Sequence, residues 1–172
     1  MSQLRNGLFV ASALIIVIGA SSSADAQRLA AQTSISKENI QMTRLENSTA
    51  ISVARSHIEA WSNHDFGKAR TSLASDVKVH IMTTQPIMHD VNTTGIDAYM
   101  SGLETFAQGV VPGSAKVLSA VGDEHNALIL VTVRAKFGPD APEITLPAAR
   151  LYLIDDDKKI KSEQVVFYAA EH

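Results

Sequence analysis

"HIEAWSNHDFGKARTSLASDVKVHI", residues 57 to 81, decides how the chain is read. An apolar stripe enters it from Ala50, Ile51, Val53 and Ala54 and continues through Ile58 and Trp61, with Ser52, Arg55, Ser56 and Glu59 on the other side. Residues three and four apart share a helix face, so this spacing predicts an amphipathic helix from Thr49 to Asn63. The stripe stops at Asn63-His64-Asp65 and restarts at once in Phe66, Ala69 and Leu73. Asp65 is read as the N-cap of a second, shorter helix, because its carboxylate accepts from the free N–H groups of the next turn. From Asp76 the period becomes two. Val77, Val79 and Ile81 point one way, and Lys78, His80 and Met82 the other, as in a strand with one buried face.

Downstream, Thr83 to Asn92 reads as a loop containing Pro86. A third helix opens at Thr94, with Asp97 three residues on as a weak capping box. Its buried stripe is Ile96, Tyr99, Met100, Leu103, Phe106 and Ala107, and Gly109 to Gly113 breaks it. Four strands follow, Ala115 to Val121, Ala127 to Phe137, Glu143 to Ile154 and Ile160 to Tyr168, separated by turn-forming clusters. Pro147 inside a strand pattern implies a bulge or an edge. The order is helix, helix, strand, helix, then a four-strand meander. It predicts an α+β fold, with the N-terminal helices collected on one face of a strongly bent antiparallel sheet.

Upstream, Met1 to Asn6 carries Arg5, Leu8 to Ala20 is an almost unbroken apolar run of 13 residues, and Ala24-Asp25-Ala26 ends the segment in small residues. A membrane-spanning helix needs about 20 apolar residues. The order of charge, apolar core and Ala-x-Ala end predicts a secretory signal peptide over 1–26. Residues 27–48 are a linker or frayed helix, and 49–172 form one domain. Cleavage after Ala26 removes one basic and one acidic residue, so the net charge stays at −3. The expected product is periplasmic or secreted, without stable membrane insertion. There is no cysteine, which excludes disulfides and thiolate chemistry. There is no basic block, so no nucleic-acid partner is expected. His64-Asp65 and His89-Asp90 lack the spacing of a metal site, and no phosphate loop or dinucleotide fingerprint occurs, so neither a metal nor a cofactor is expected.

The order of elements, together with "NHDFGKARTSLASDVKV", resembles the nuclear transport factor 2-like superfamily, which includes SnoaL-like polyketide cyclases, ketosteroid isomerases, limonene epoxide hydrolases and scytalone dehydratase. Asp65 opening helix two, Leu73-Ala74-Ser75-Asp76 entering the strand, Gly95 opening helix three and the hairpin Ile154 to Ile160 carry the match over Ile51 to Tyr168. The hairpin has lysine where a glycine is usual. The resemblance implies a cone-shaped sheet, a helix-lined apolar cavity and, commonly, a homodimer formed through the sheet's outer face. Aligned through Asp65 and Asp76, the oxyanion-binding tyrosine of the ketosteroid isomerases falls at His57 and their general-base aspartate at Ile81. An alkyl chain cannot remove a proton, so that isomerase chemistry is not expected here.

His57 lies on the buried arc of the first helix. It is either a cavity imidazole, able to donate a hydrogen bond or shuttle a proton, or a core histidine bonded to a backbone carbonyl or a tyrosine. His80 is read as a surface residue. His89-Asp90 is either a solvated loop or a polar feature of the cavity mouth. Arg150 and Tyr152 share one strand face. Turned inward, the pair could bind a carboxylate or an enolate; turned outward, it would belong to the surface or a dimer interface, and outward is preferred. The expected function is binding of a small, largely apolar molecule, with Trp61, Ile81, Tyr99 and Phe106 lining the pocket and His57 as its polar contact. The alternatives are a cofactor-independent isomerase, dehydratase or cyclase with His57 as catalytic acid/base, and a structural or interaction protein whose cavity is filled by its own side chains.

Overall fold

A computed structural model of the chain describes Arg28, Gln32 and residues 48–83 and 90–168. The expected leader, most of the linker, Pro86 and His89 lie outside the described residues. No helix among the described residues is long and apolar enough to cross a membrane.

Helix α1 (Thr49–Ser62) is capped by Ser48 Oγ, which accepts from the Ile51 N–H at 3.3 Å, and buries Ile51, Ala54, His57, Ile58 and Trp61. His64 makes the sharp exit in the left-handed region (φ 62°) and stacks on Phe66. Asp65 then caps α2 (Phe66–Thr71), accepting from the Lys68 N–H at 3.0 Å, as its position predicted. Strand β1 (Leu73–Thr83) begins before the alternating stretch. Leu73 and Ala74 are both buried, and the pairing with the neighbouring strand is irregular until Lys78, so period two emerges only from Val77.

Two features depart from the expected layout. The end of the supposed loop forms a short strand, β2 (Val91–Thr94), antiparallel to β1. Helix α3 (Ile96–Ala107) is not capped by a side chain. Gly95 stands at its N-cap with φ 95°, and Asp97 pairs instead with Arg70 of α2.

The meander is β3 (Lys116–Gly122), β4 (Asn126–Ala135), β5 (Ile144–Ile154) and β6 (Ile160–Phe167). The sheet order is β2-β1-β6-β5-β4-β3, six strands in a curved, unclosed sheet. Every pair is antiparallel except β1 with β6, which is parallel. A parallel neighbour requires a long crossover. Here the crossover is everything between β1 and β6, including α3 and the other three strands of the meander. Helix α1 packs on β3, β4 and β5, and α3 on β1 and β2.

Pro147 sits in β5 without a bulge in the β4 ladder. Its carbonyl accepts from the Tyr168 N–H, so its ring nitrogen points the same way, past the last β5–β6 pair, Ala148 with Phe167. No ladder donor is lost at this local edge.

The β5–β6 turn places Lys158 at φ 60°, a left-handed conformation that favours glycine. Its geometry is fixed by Asp155, whose Oδ1 accepts from the Lys159 N–H at 2.8 Å. A Cβ in the left-handed region costs about 1–2 kcal/mol, partly offset by the greater unfolded-state freedom of glycine. Lys158→Gly is therefore expected to stabilise the protein by about 0.5–1 kcal/mol, read in urea unfolding as a raised midpoint with an unchanged slope.

Candidate functional site

The concave face of the sheet and the inner side of α3 enclose a cavity of about 740 Å³. Val79 and Ile81 of β1, Leu103 and Phe106 of α3, and Val165 and Phe167 of β6 give it apolar walls, with Phe137 just beyond the end of β4. Phe106 touches Phe137 and Phe167 in tilted ring contacts at 6.0 and 5.7 Å. The helix stripe expected to be core is thus divided. Tyr99, Met100 and Ala107 are buried, while Ile96, Leu103 and Phe106 remain partly open.

The cavity's polar wall is Tyr99, Arg150 and Glu163. The period of β5 puts Arg150 and Tyr152 on one face, and the β5–β6 register sets Tyr152 directly opposite Glu163. Arg150 and Glu163 are diagonal neighbours, and Arg150 Nη1 donates to Glu163 Oε1 at 2.6 Å. Both side chains are almost wholly buried (5% and 2% exposed). The Arg150 guanidinium also lies 4.8 Å over the Trp61 ring, a cation–π contact. The Tyr99 hydroxyl donates to Glu163 Oε2.

This bond settles the tautomer of His57. The single hydroxyl proton of Tyr99 is given to Glu163, so the Tyr99 oxygen must accept at His57, 2.8 Å away. Neutral His57 therefore carries its proton on Nε2. Its Nδ1 lies 2.7 Å from Ser72 Oγ, which also reaches the Ala69 carbonyl at 2.6 Å. Ser72, His57, Tyr99, Glu163 and Arg150 form one continuous chain of polar contacts, buried from His57 to Arg150.

Burial, above all, pushes His57 down from 6.5 to about 4, with Arg150 acting in the same direction against the pull of Glu163. Glu163 behaves oppositely. Burial would raise it, but Arg150, His57 and the Tyr99 hydroxyl outweigh burial and hold it below its ordinary value. Burial and the Glu163 charge push Tyr99 far above its ordinary range, so it remains a phenol. The Tyr152 hydroxyl, the Trp61 Nε1–H and the Arg150 Nε–H are buried without hydrogen-bond partners.

The structure places the candidates as follows. Ile81, Tyr99, Phe106 and Arg150 line the cavity. His57, Trp61 and Tyr152 are buried beside it and are not among its walls. His57 thus reaches the cavity only through Tyr99. The preferred outward orientation of Arg150 and Tyr152 is corrected: that face turns in, because Leu151 and Leu153 take the outer side, each 42% exposed. Sequence reasoning missed Glu163 and Ser72. The signal for Glu163 was a carboxylate in the same period as Val165 and Phe167, on a strand next to one carrying Arg150. His80 is half-buried, outside the cavity. No group of three or more metal-ligating side chains occurs among the described residues.

Between pH 6.5 and about 4 the unfolded chain binds a proton that folded His57 refuses. Stability is therefore expected to fall as pH drops through that window, by about 3 kcal/mol from this residue. Glu163, held low, adds its own loss only below its ordinary range. His57→Gln, which keeps a donor for Tyr99, should flatten the dependence between pH 6.5 and about 4 in urea unfolding at a series of pH values.

The chain is similar in structure to several solved proteins. One from Kribbella flavida DSM 17836 is 26% identical, with a TM-score of 0.55, covering 68% of this chain and 84% of its own. A protein of Catenulispora acidiphila DSM 44928, described as having a ketosteroid isomerase-like fold and solved in complex with trimethylamine, is 14% identical with a TM-score of 0.57, covering 69% and 85%. An epoxide hydrolase of M. tuberculosis, described as LEH-like, is 18% identical with a TM-score of 0.55, covering 70% and 83%. No curated protein matches the sequence. The profile of the SnoaL-like domain matches residues 54–163, from the middle of α1 to the carboxylate of the buried pair, and the chain belongs to that family.

Proposed function

We propose that this protein binds a small, largely apolar molecule in the cavity between the sheet and α3. The observation that carries this reading is a cavity of about 740 Å³ with largely apolar walls and a buried, charged cluster of Tyr99, Arg150 and Glu163 on one side. Sites for small ligands commonly enclose roughly 300–1,000 Å³ and combine apolar walls with a few converging polar groups. The filled-cavity alternative required Trp61, Phe106 and Met100 to close the space, and of these only Phe106 reaches its wall.

An acid/base enzyme is the second reading, favoured by the continuous chain from His57 through Tyr99 to Glu163. In it Tyr99 and Glu163 meet the substrate and His57 acts from behind. It ranks second because Glu163 is held below its ordinary pKa and both of its oxygens accept hydrogen bonds. A carboxylate so held is a weak base at neutral pH. Export, through a leader over 1–26, belongs to the same proposal.

Homodimerisation does too. Val121, Leu128 and Leu151 stand directly opposite one another across β3, β4 and β5, all substantially exposed on the outer face. A lysine in this row would be buried by a partner copy. Leu151→Lys is expected to shift the protein to monomer in sedimentation velocity, while the wild type sediments as a dimer; a wild-type monomer would defeat the assignment.

The binding reading is tested with native mass spectrometry of gently purified protein and with thermal shift against a panel of apolar ketones, alcohols and acids. At least one compound should raise the melting temperature saturably. At Gly102, on the cavity wall, an added Cβ meets no atom within 4 Å, so a larger side chain is accommodated at its base and fills the space beyond. Gly102→Phe is expected to keep the fold and lose the ligand shift. A wild type that carries nothing and responds to nothing would sink the reading.

A further inference from the structure

Resting on the binding reading above, the hydrogen-bond inventory of the cavity's polar side narrows the chemistry of the ligand. Each oxygen of Glu163 already accepts one bond, from Arg150 Nη1 and from the Tyr99 hydroxyl. The Tyr99 proton is committed to Glu163, and the Tyr99 oxygen accepts from His57. Arg150 differs. A guanidinium has five N–H hydrogens, and the contact to Glu163 uses one. Its Nε–H is buried without a partner, and the residue lines the cavity. Glu163 keeps further lone pairs, but its charge is already met by Arg150 and Tyr99, whereas the guanidinium keeps most of its hydrogens open.

A second imbalance lies behind Tyr99. Ser72 Oγ is 2.7 Å from His57 Nδ1 and 2.6 Å from the Ala69 carbonyl, and Nδ1 is itself 3.2 Å from that carbonyl. With His57 neutral, the one Ser72 proton can serve Nδ1 or the carbonyl, but not both. With His57 as imidazolium, Nδ1–H donates to Ser72 and Ser72 donates to Ala69, so every contact becomes a hydrogen bond. The hydrogen-bonding surroundings therefore suit a charged His57. What opposes it is burial and charge. The titratable groups facing His57 are Tyr99 from α3, Arg150 and Tyr152 from β5, and Glu163 from β6. They supply one cation and one anion, and an imidazolium leaves a buried excess of positive charge.

We propose that the ligand of this cavity is an amphipathic anion, an apolar body ending in a carboxylate seated on the open N–H groups of Arg150, and that His57 takes up a proton from solvent as it binds. Two cations and two anions then share the polar side, which removes the charge imbalance. No covalent bond of the ligand changes.

The test compares decanoate with decan-2-one, the same kind of apolar body with an anionic or a neutral oxygen. Isothermal titration in buffers of different ionisation enthalpy, near pH 7, where decanoate is ionised in solution, should show decanoate binding with uptake of about one proton. As pH rises, decanoate affinity should fall by about tenfold per unit up to the titration of His57 in the complex, and level off above it. The ketone should bind at least about tenfold more weakly, without uptake. Imidazole ¹⁵N spectra of the wild type should show His57 changing from the Nε2–H tautomer to imidazolium on saturation with decanoate, a readout that needs no variant. Equal binding of the ketone, decanoate binding without proton uptake, or uptake undiminished in His57→Gln would overturn the proposal. If neither compound nor any member of the broader panel binds, the binding reading itself has failed.

Discussion

The ion pair between Arg150 and Glu163 is the constraint on which the rest of the site depends. Two charges removed almost completely from water are costly, and their attraction offsets that cost only if the remaining donors and acceptors are also satisfied. The fold supplies these partners from several elements at once. Tyr99 of α3 donates to the carboxylate, Trp61 of α1 covers the guanidinium, and His57 of α1 holds the Tyr99 oxygen from behind. Removing one member of such a pair leaves an uncompensated buried charge, at a typical cost of about 3–5 kcal/mol. One interaction thereby ties both principal helices to the two central strands of the sheet.

That arrangement explains why the space beside it remains open. A residue on α3 that filled the cavity would have to pack against a charged pair whose donors are not all used. Instead Tyr99 turns toward Glu163, while Leu103 and Phe106 stop at the wall and stay partly open. Natural proteins retain such features where function requires them, since a cavity of this size forgoes dispersion contacts that a packed core would make. At the far wall Phe106 makes tilted contacts with both Phe137 and Phe167, which brace that wall without closing it. The cavity is thus polar on one side and apolar on the other.

What could be read in the sequence was local. The stripe of α1, the Asp65 cap and the turn at Lys158 are set by neighbours within a few residues, and each falls where its chemistry placed it. What could not be read depended on register between distant segments. Nothing local to β5 says that Arg150 faces in, because Ala149, Leu151 and Leu153 form an equally apolar alternate face, and an apolar face also suits an interface between copies. The inward turn follows from Tyr152 meeting Glu163 across the ladder. Pro147 was an ambiguous marker for the same reason: its missing donor matters only in relation to where β6 ends. The capping role expected for Asp97 gave way to a tertiary ion pair with Arg70, and Gly95 took over the helix entry. His57 joined both of its readings, buried and bonded to a tyrosine as a core histidine would be, yet one hydrogen bond from the cavity.

The position of the carboxylate separates this site from the isomerase pattern that the sequence resembles. There the resemblance places a base on the first strand, at the position of Ile81, where nothing in this chain can accept a proton. The parallel pairing of β1 with β6 sets Ile81 beside Val165 and Val79 beside Glu163. The only carboxylate among the described cavity-lining residues is therefore one strand over and one pleat along, a displacement of roughly 8 Å from the strand spacing and rise. The environment has changed as well as the place. A carboxylate alone on an apolar wall would be raised toward neutrality and made a useful base, whereas Glu163 is clamped by a guanidinium and a phenol and held low. The same concave surface thus exchanges a group suited to removing a proton for one that orients an arginine. In this chain the reactive question moves from which carboxylate abstracts a proton to what Arg150, with most of its donors open, is oriented to hold.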